Sequence, residues 1–323
     1  MEFSLSLSLK ILGVLLAILM VLSTFSTLSW LMKLRIIACI FIGFVLIGVL
    51  HWPLVEPDEP FGIVTMPGFK SAVVLATTAF LTGLIAYFLA WPYGLEIGVL
   101  AVPAGLSVWA VCSGSIGDLM LRTNSVQQRA AILTSLKWEP IFWLAVVAIG
   151  FVGALVGQVI SKRRIISKET EKKTNSKINV YSNVVTALVG SALIALFCMR
   201  VLAQDVRIFD SRFGSVVAQP AVGQIAFAVF TSFAIASFVV KKFLGAHYVW
   251  TLICTVFLPA FCIIFYAKPD VLSYMSQTFP PVFFTNPIIA ILPIQMVAFG
   301  VLGSLSGYWL VVRYDYWKEH ERE

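Results

Sequence analysis

The chain has 323 residues, of which 59% are hydrophobic and 12% charged, against roughly 45–50% and about 25% in an average soluble domain. A mean hydropathy of +0.93 and repeated uncharged runs of bilayer length exclude the pair of soluble domains that the length would otherwise allow. The net charge of +7 arises in short connections between apolar runs, chiefly one of them, which excludes a nucleic-acid-binding domain surface as well.

The expected fold class is an all-α polytopic membrane protein with about nine transmembrane helices. They fall near residues 11–31, 36–53, 71–90, 96–115, 139–160, 179–200, 221–240, 246–267 and 286–312, each close to the length that crosses a bilayer. An unpaired backbone amide in lipid costs several kcal/mol, so these runs must be helical, and the Gly and Pro within them do not demote them.

Residues 1–35 are read as an N-terminal span and a tight cytoplasmic turn. The first ten residues carry no net charge, and the following run is longer than the core of a cleavable leader, with no Ala-x-Ala site after it. The span is therefore expected to stay, with its N-terminus outside and Lys33 and Arg35 holding its other end in the cytoplasm. The turn is placed at Met32, Lys33, Leu34 and Arg35; an eight-span arrangement would merge this region.

Residues 36–160 form the first set of four spans. Glu96 follows Trp91-Pro-Tyr-Gly94 at the start of the fourth span, where the positive end of the helix dipole favours an acid; the alternative is a ligand or ion contact. Pro103-Ala104 lies further along the same run. Asp118 follows Ser113-Gly-Ser115 and is either an outer loop acid or part of a bend whose amides surround an anion. Residues 116–138 are polar enough for a surface helix through Gln127, Gln128 and Arg129.

The connection 161–178 is strongly basic, with only Glu169 and Glu171 opposing its lysines and arginines. It fixes topology, lies against anionic lipid, or docks a cytoplasmic partner. Residues 179–312 form the second set of four spans, and 313–323 a charged cytoplasmic tail. Arg200 can snorkel at the end of the sixth span. Beyond it, Asp205 and Arg207, and likewise Asp210 and Arg212, are spaced for local salt bridges in a polar lid or for substrate recognition. The uncharged run Val271–Val312 is too long for one span, and Pro280-Pro281 and Asn286-Pro287 mark its first part as a broken segment anchored by Phe283 and Phe284, either a structural cap or a gate.

The two sets resemble each other internally. Gly150, Gly153 and Gly157 close the fifth span in a GxxGxLxG pattern that Gly300, Gly303 and Gly307 repeat in the ninth, and Pro103-Ala104 is echoed by Pro259-Ala260. A duplicated unit with an even number of spans gives a parallel repeat. The glycines are expected at close helix crossings, within the bundle or at a repeat or dimer interface; the prolines are expected to kink the fourth and eighth helices, in ordinary packing or around a central substrate site.

Charge distribution orients the whole. With the N-terminus outside and the C-terminus inside, the cytoplasmic connections hold fourteen basic and seven acidic residues, and the outer ones nine of each, the bias expected of cytoplasmic loops. Cys39, Cys112, Cys198, Cys254 and Cys262 all lie in apolar runs, and His51, His247 and His320 are separated by topology, so no cofactor or metal is expected. The chain lacks HExxH, GxSxG and a phosphate-binding Gly loop, and no catalytic residue is nominated. The leading expectation is a permease-like protein of a bacterial plasma membrane, moving a small uncharged or amphipathic substrate between two repeats, with Pro103, Pro259, Glu96, Asp118, Asp205 and Arg207 as substrate or gating residues. A non-catalytic scaffold binding lipid, a membrane-protein partner or a second copy is the alternative, and a lipid-modifying membrane enzyme the third reading.

Overall fold

A computed structural model describes residues 29–57, 62–123, 125–161, 177–279 and 283–320. The expected first span, the basic connection and Pro280-Pro281 lie outside these residues. Among the described residues, eight helical segments are long and apolar enough to cross a membrane: Trp30–Val49, Phe69–Leu89, Gly94–Cys112, Val126–Ile160, Asn183–Leu202, Val222–Leu244, Val249–Tyr266 and Pro293–Tyr316. The protein is an all-α polytopic membrane protein. The described residues divide into two compact units, one within residues 29–56, 67–109 and 145–161, the other within 57–66, 110–144 and 177–320.

In the first unit, α1 (Trp30–Gly43) starts at Ser29, whose Oγ accepts the Met32 N–H at 3.3 Å. Met32, Lys33, Leu34 and Arg35 therefore belong to the opening turns of a helix and do not form a tight turn of their own, because the serine cap ends the chain's approach three residues earlier. Helix α1 runs on into a π-helical turn, Phe44–Val49. Such widened turns leave carbonyls free for side chains. Here the Trp109 indole donates to Gly48 O at 2.9 Å, and His51 Nδ1 meets Leu46 O at 2.6 Å.

Helix α2 spans Phe69–Leu89. The next crossing is interrupted: α3 (Gly94–Ile97) passes through a 3-10 turn, Gly98–Leu100, into α4 (Ala101–Cys112). Helix α7 (Glu139–Ile160) is regular, and its residues from Ala145 onward complete the unit. Glycines bring the backbones together. A Cβ at Gly83 would strike Gly150 O, and one at Gly153 would strike Phe80 O, so α2 and α7 touch main chain to main chain. Gly43 and Gly105 do the same for α1 and α4.

In the second unit, α8 (Lys177–Leu202), α9 (Val222–Leu244), α10 (Val249–Tyr266) and α12 (Pro293–His320) form the bundle. Helices α9 and α12 cross where Gly303 meets Phe230 O and Gly307 meets Ala234 O. Helix α9 stops at Gly245, in the left-handed conformation at φ 63°, with Lys241 and Lys242 in its last turn, where cations suit the dipole. Lys242 pairs with Asp315 and Lys241 lies over the Tyr308 ring, stapling this end to α12. On α8, Val185, Val189, Leu193, Phe197 and Val201 are exposed at four-residue spacing, one continuous face suited to lipid.

The other end of this unit carries short elements: α5 (Ile116–Arg122), α6 (Val126–Leu136), α11 (Pro269–Thr278) and a three-stranded antiparallel sheet of β1 (Arg207–Ile208), β2 (Val216–Ala218) and β3 (Phe283–Phe284). Val217 is paired with both Arg207 and Phe284. The run after β3 makes one 3-10 turn, Pro287–Ala290, before α12, and residues Pro287–Leu292 are all buried. Within the described part of the long uncharged run, Asn286-Pro287 opens this 3-10 turn, and the second half of the run is the last crossing.

Candidate functional site

A helix interrupted at membrane depth exposes backbone groups that lipid cannot satisfy. In the second unit, side-chain amides supply the partners. Gln295, in the first turn of α12 and 1% exposed, accepts the Leu292 N–H at 3.1 Å and donates to Ala110 O at 3.1 Å. Gln219 accepts the Gly117 N–H at 3.1 Å and donates to Ala290 O at 3.0 Å. Gln224 donates to Leu202 O and Gln204 O, closing the end of α8. The extended stretch before α2 is held in the same way: Ser113 Oγ accepts the Val64 N–H at 2.9 Å, and buried Glu139 accepts the Met66 N–H at 3.4 Å.

Below this polar cap, the crossing of α9, α10 and α12 contains hydroxyls of another kind. Ser232 and Ser237 on α9, Thr251 on α10 and Ser304 on α12 are fully or almost fully buried, and none of their oxygens has a hydrogen-bond partner. Ser304 adjoins Gly303, and a Cβ at nearby Gly300 would meet the Thr255 methyl and the Phe233 ring. In the first unit Thr82, on α2 beside Gly83, is likewise buried without a partner. Buried polar groups are nearly always paired in native proteins, so a set of uncharged, partnerless hydroxyls buried in apolar helices is the most distinctive chemical feature of these helices.

The residues expected from sequence to handle substrate are dispersed. Asp118 closes a capping box on α5: its N–H donates to Ser115 Oγ at 3.0 Å and Ser115 Oγ donates to its carboxylate at 2.7 Å. Its oxygens thus organise a helix start in place of an anion-binding bend. Asp205 and Arg207 are both exposed, and no ion pair joins them. Asp210 does not use the Arg212 side chain as its hydrogen-bond donor either. It accepts the backbone N–H groups of Arg212 and Phe213 at 2.9 and 2.7 Å and the Tyr274 hydroxyl at 2.8 Å. The Arg212 guanidinium lies over the Tyr274 ring. Burial works to raise the Asp210 carboxyl, but the donors Phe213 N–H, Tyr274 O–H and Arg212 N–H, with the Arg212 charge, outweigh it and hold the group below its ordinary range.

Glu96 sits exposed on the one-turn α3. Pro103 and Pro259 occupy different settings: Pro103 is the third residue of α4, directly after the 3-10 turn, whereas Pro259 is inside α10. The six glycines of the repeated pattern face close neighbours within their own unit, Gly150 meeting Val102 and Gly157 meeting the Tyr87 ring.

No protein-family model, curated protein or solved structure matches the chain. Sequence reading passed over Gln219, Gln224 and Gln295. The signal for Gln295 was present, since it is the one strongly polar side chain between Ile288 and Gly300. The hydroxyls gave no signal, because Ser and Thr are routine in spanning helices and only the fold shows which lack a partner.

Proposed function

We propose that the protein is a permease-like integral membrane protein that passes a small uncharged or amphipathic solute. The observation that carries this reading is the set of partnerless buried hydroxyls of Ser232, Ser237, Thr251 and Ser304. Each hydroxyl offers a donor and two acceptor positions. A solute with its own hydroxyl or amide groups replaces water hydrogen bonds with these, whereas an ion finds no compensating charge. The glycine-backed crossing of α9 and α12 has no interlocking side chains at Gly303 and Gly307 to oppose a small sliding of the two helices.

The same proposal takes the two four-span sets as copies. Gly153 lies against Phe80 O as Gly303 lies against Phe230 O, and Thr82 takes the place in α2 that Ser232 takes in α9. Orientation follows the charge bias: the sheet and cap face outward, and the Lys241–Lys242 end, the basic connection and the C-terminus face the cytoplasm of a bacterial plasma membrane.

The test is solute entry into proteoliposomes, followed by light scattering with urea, glycerol and erythritol as probes. Entry of at least one solute faster than into protein-free vesicles is expected, and a severalfold loss in Ser304→Val and Ser232→Val variants that remain folded. Protein-free rates for all three probes, with a stoichiometric membrane protein copurifying, would shift the assignment to a scaffold.

A further inference from the structure

Where α6 and α10 end, the second unit carries a cleft of about 160 Å³ lined by Thr134, Lys137, Ile263, Ile264, Ala267 and Lys268. Lys137 caps the end of α6, and Lys268 stands between α10 and α11. Two cations from distant parts of the chain thus converge on one cleft, and its lining contains a hydroxyl but no carboxylate. The floor is aliphatic. Beside it, the Lys137 ammonium lies 5.3 Å from the Trp138 ring and that of Lys268 lies 4.7 Å from the Phe265 ring. Both rings are more than half exposed, and Trp138 is of the type enriched at the boundary between lipid and water.

An apolar track leads away from the cleft. Ile264, Phe261 and Phe257 are exposed along α10 at three- and four-residue spacing, which places them on one helix face over about 10 Å of the spanning segment. Cations at the boundary, a hydroxyl between them and an aliphatic path running into the bilayer match one class of molecule.

We propose that this cleft binds an anionic phospholipid, its phosphate between Lys137 and Lys268, an ester or glycerol oxygen at the Thr134 hydroxyl, and one acyl chain along Ile264, Phe261 and Phe257. Charge complementarity selects the anionic headgroup, because a choline or ethanolamine cation would face two ammonium groups. The inference requires only that α10 spans the membrane and is independent of solute passage.

Native mass spectrometry of the full-length protein in detergent tests it, with phosphatidylglycerol and phosphatidylcholine at equal concentration. The wild type should retain phosphatidylglycerol in preference. Lys268→Gln should weaken that retention about fivefold, and Lys137→Gln with Lys268→Gln should weaken it further, the change expected for loss of basic side chains near an anionic headgroup. Arginine at both positions should restore it, and millimolar inorganic phosphate should not displace the lipid. Equal retention by the wild type and the glutamine variants overturns the proposal, as does the absence of a headgroup preference. Full displacement by inorganic phosphate also overturns it, by making the cleft a soluble-anion site. Should the double variant fail to fold, Lys268→Gln alone decides, since that side chain is exposed.

Discussion

Asp210 organises its loop as a small titratable knot. Two backbone N–H groups, a tyrosine hydroxyl and the Arg212 charge all favour its ionised form. A carboxyl held below its unfolded value contributes stability that is complete above the ordinary carboxylate pKa, about 3.9, and is lost as pH falls through the lowered folded-state value. Amide exchange at Arg212 and Phe213 should therefore be slow and pH-independent in protection at neutral pH, with protection lost only in strong acid. Asp210→Ala should abolish the protection throughout, Asp210→Asn, which keeps an acceptor oxygen, should make it independent of acid, and Tyr274→Phe should move its loss to higher pH. If the alanine variant kept wild-type protection at both amides, the knot would not be what holds this turn.

At the scale of elements, small residues determine which helices touch. Gly303 and Gly190 are both helical glycines in apolar sequence, but a Cβ at Gly303 would collide with the Phe230 carbonyl whereas one at Gly190 would meet nothing within 4 Å. Gly303→Ala should thus cost about 1–3 kcal/mol, the range for an overpacked site, and Gly190→Ala, inside a helix with open space at its Cβ, should be neutral or stabilising by up to about 1 kcal/mol. Thermal unfolding in nanodiscs measures the contrast, and equal midpoints for the two variants would refute the crossing as described. The spacing of Gly150, Gly153 and Gly157, echoed at Gly300, Gly303 and Gly307, singles these residues out in the sequence, and in the fold each has a close neighbour within its own unit. The spans were equally readable, because twenty uncharged residues have few alternatives to a helix in lipid. Three features were not readable. The π-helical turn at Phe44–Val49 looks like any other apolar run. The serine cap at Ser29 was hidden by the charges at Lys33 and Arg35, which suggested a later break. Asp118 looked like an outer loop acid and Asp210 like a salt-bridge partner of Arg212, because their donors in the fold are backbone N–H groups and the hydroxyls of Ser115 and Tyr274, which leave no charge pattern in the sequence.

The molecule as a whole is a set of apolar helices, with its charge relegated to their ends. That arrangement makes sidedness a decisive global property. In a background with the five native cysteines replaced, Ser211→Cys, on an exposed turn beside β1, should react with a membrane-impermeant maleimide in intact cells. Ala246→Cys, beyond the Lys241–Lys242 end of α9, should react only after the membrane is opened. The reverse pattern would invert the proposed orientation.

The amide bridge from Gln295 to Ala110 bears on how the protein is made. The donor is synthesised 185 residues after its acceptor, which at about 5–20 residues per second amounts to roughly 10–40 s of translation. During that interval the Ala110 carbonyl, and for a shorter one the Gly117 amide, which awaits Gln219 102 residues later, must be shielded by the insertion machinery or wetted at the bilayer surface. The cap can close only when the final helix arrives. Ribosome stalling or truncation before residue 293 would therefore deliver an unsealed protein to quality control, with α9 deprived of its crossing partner as well.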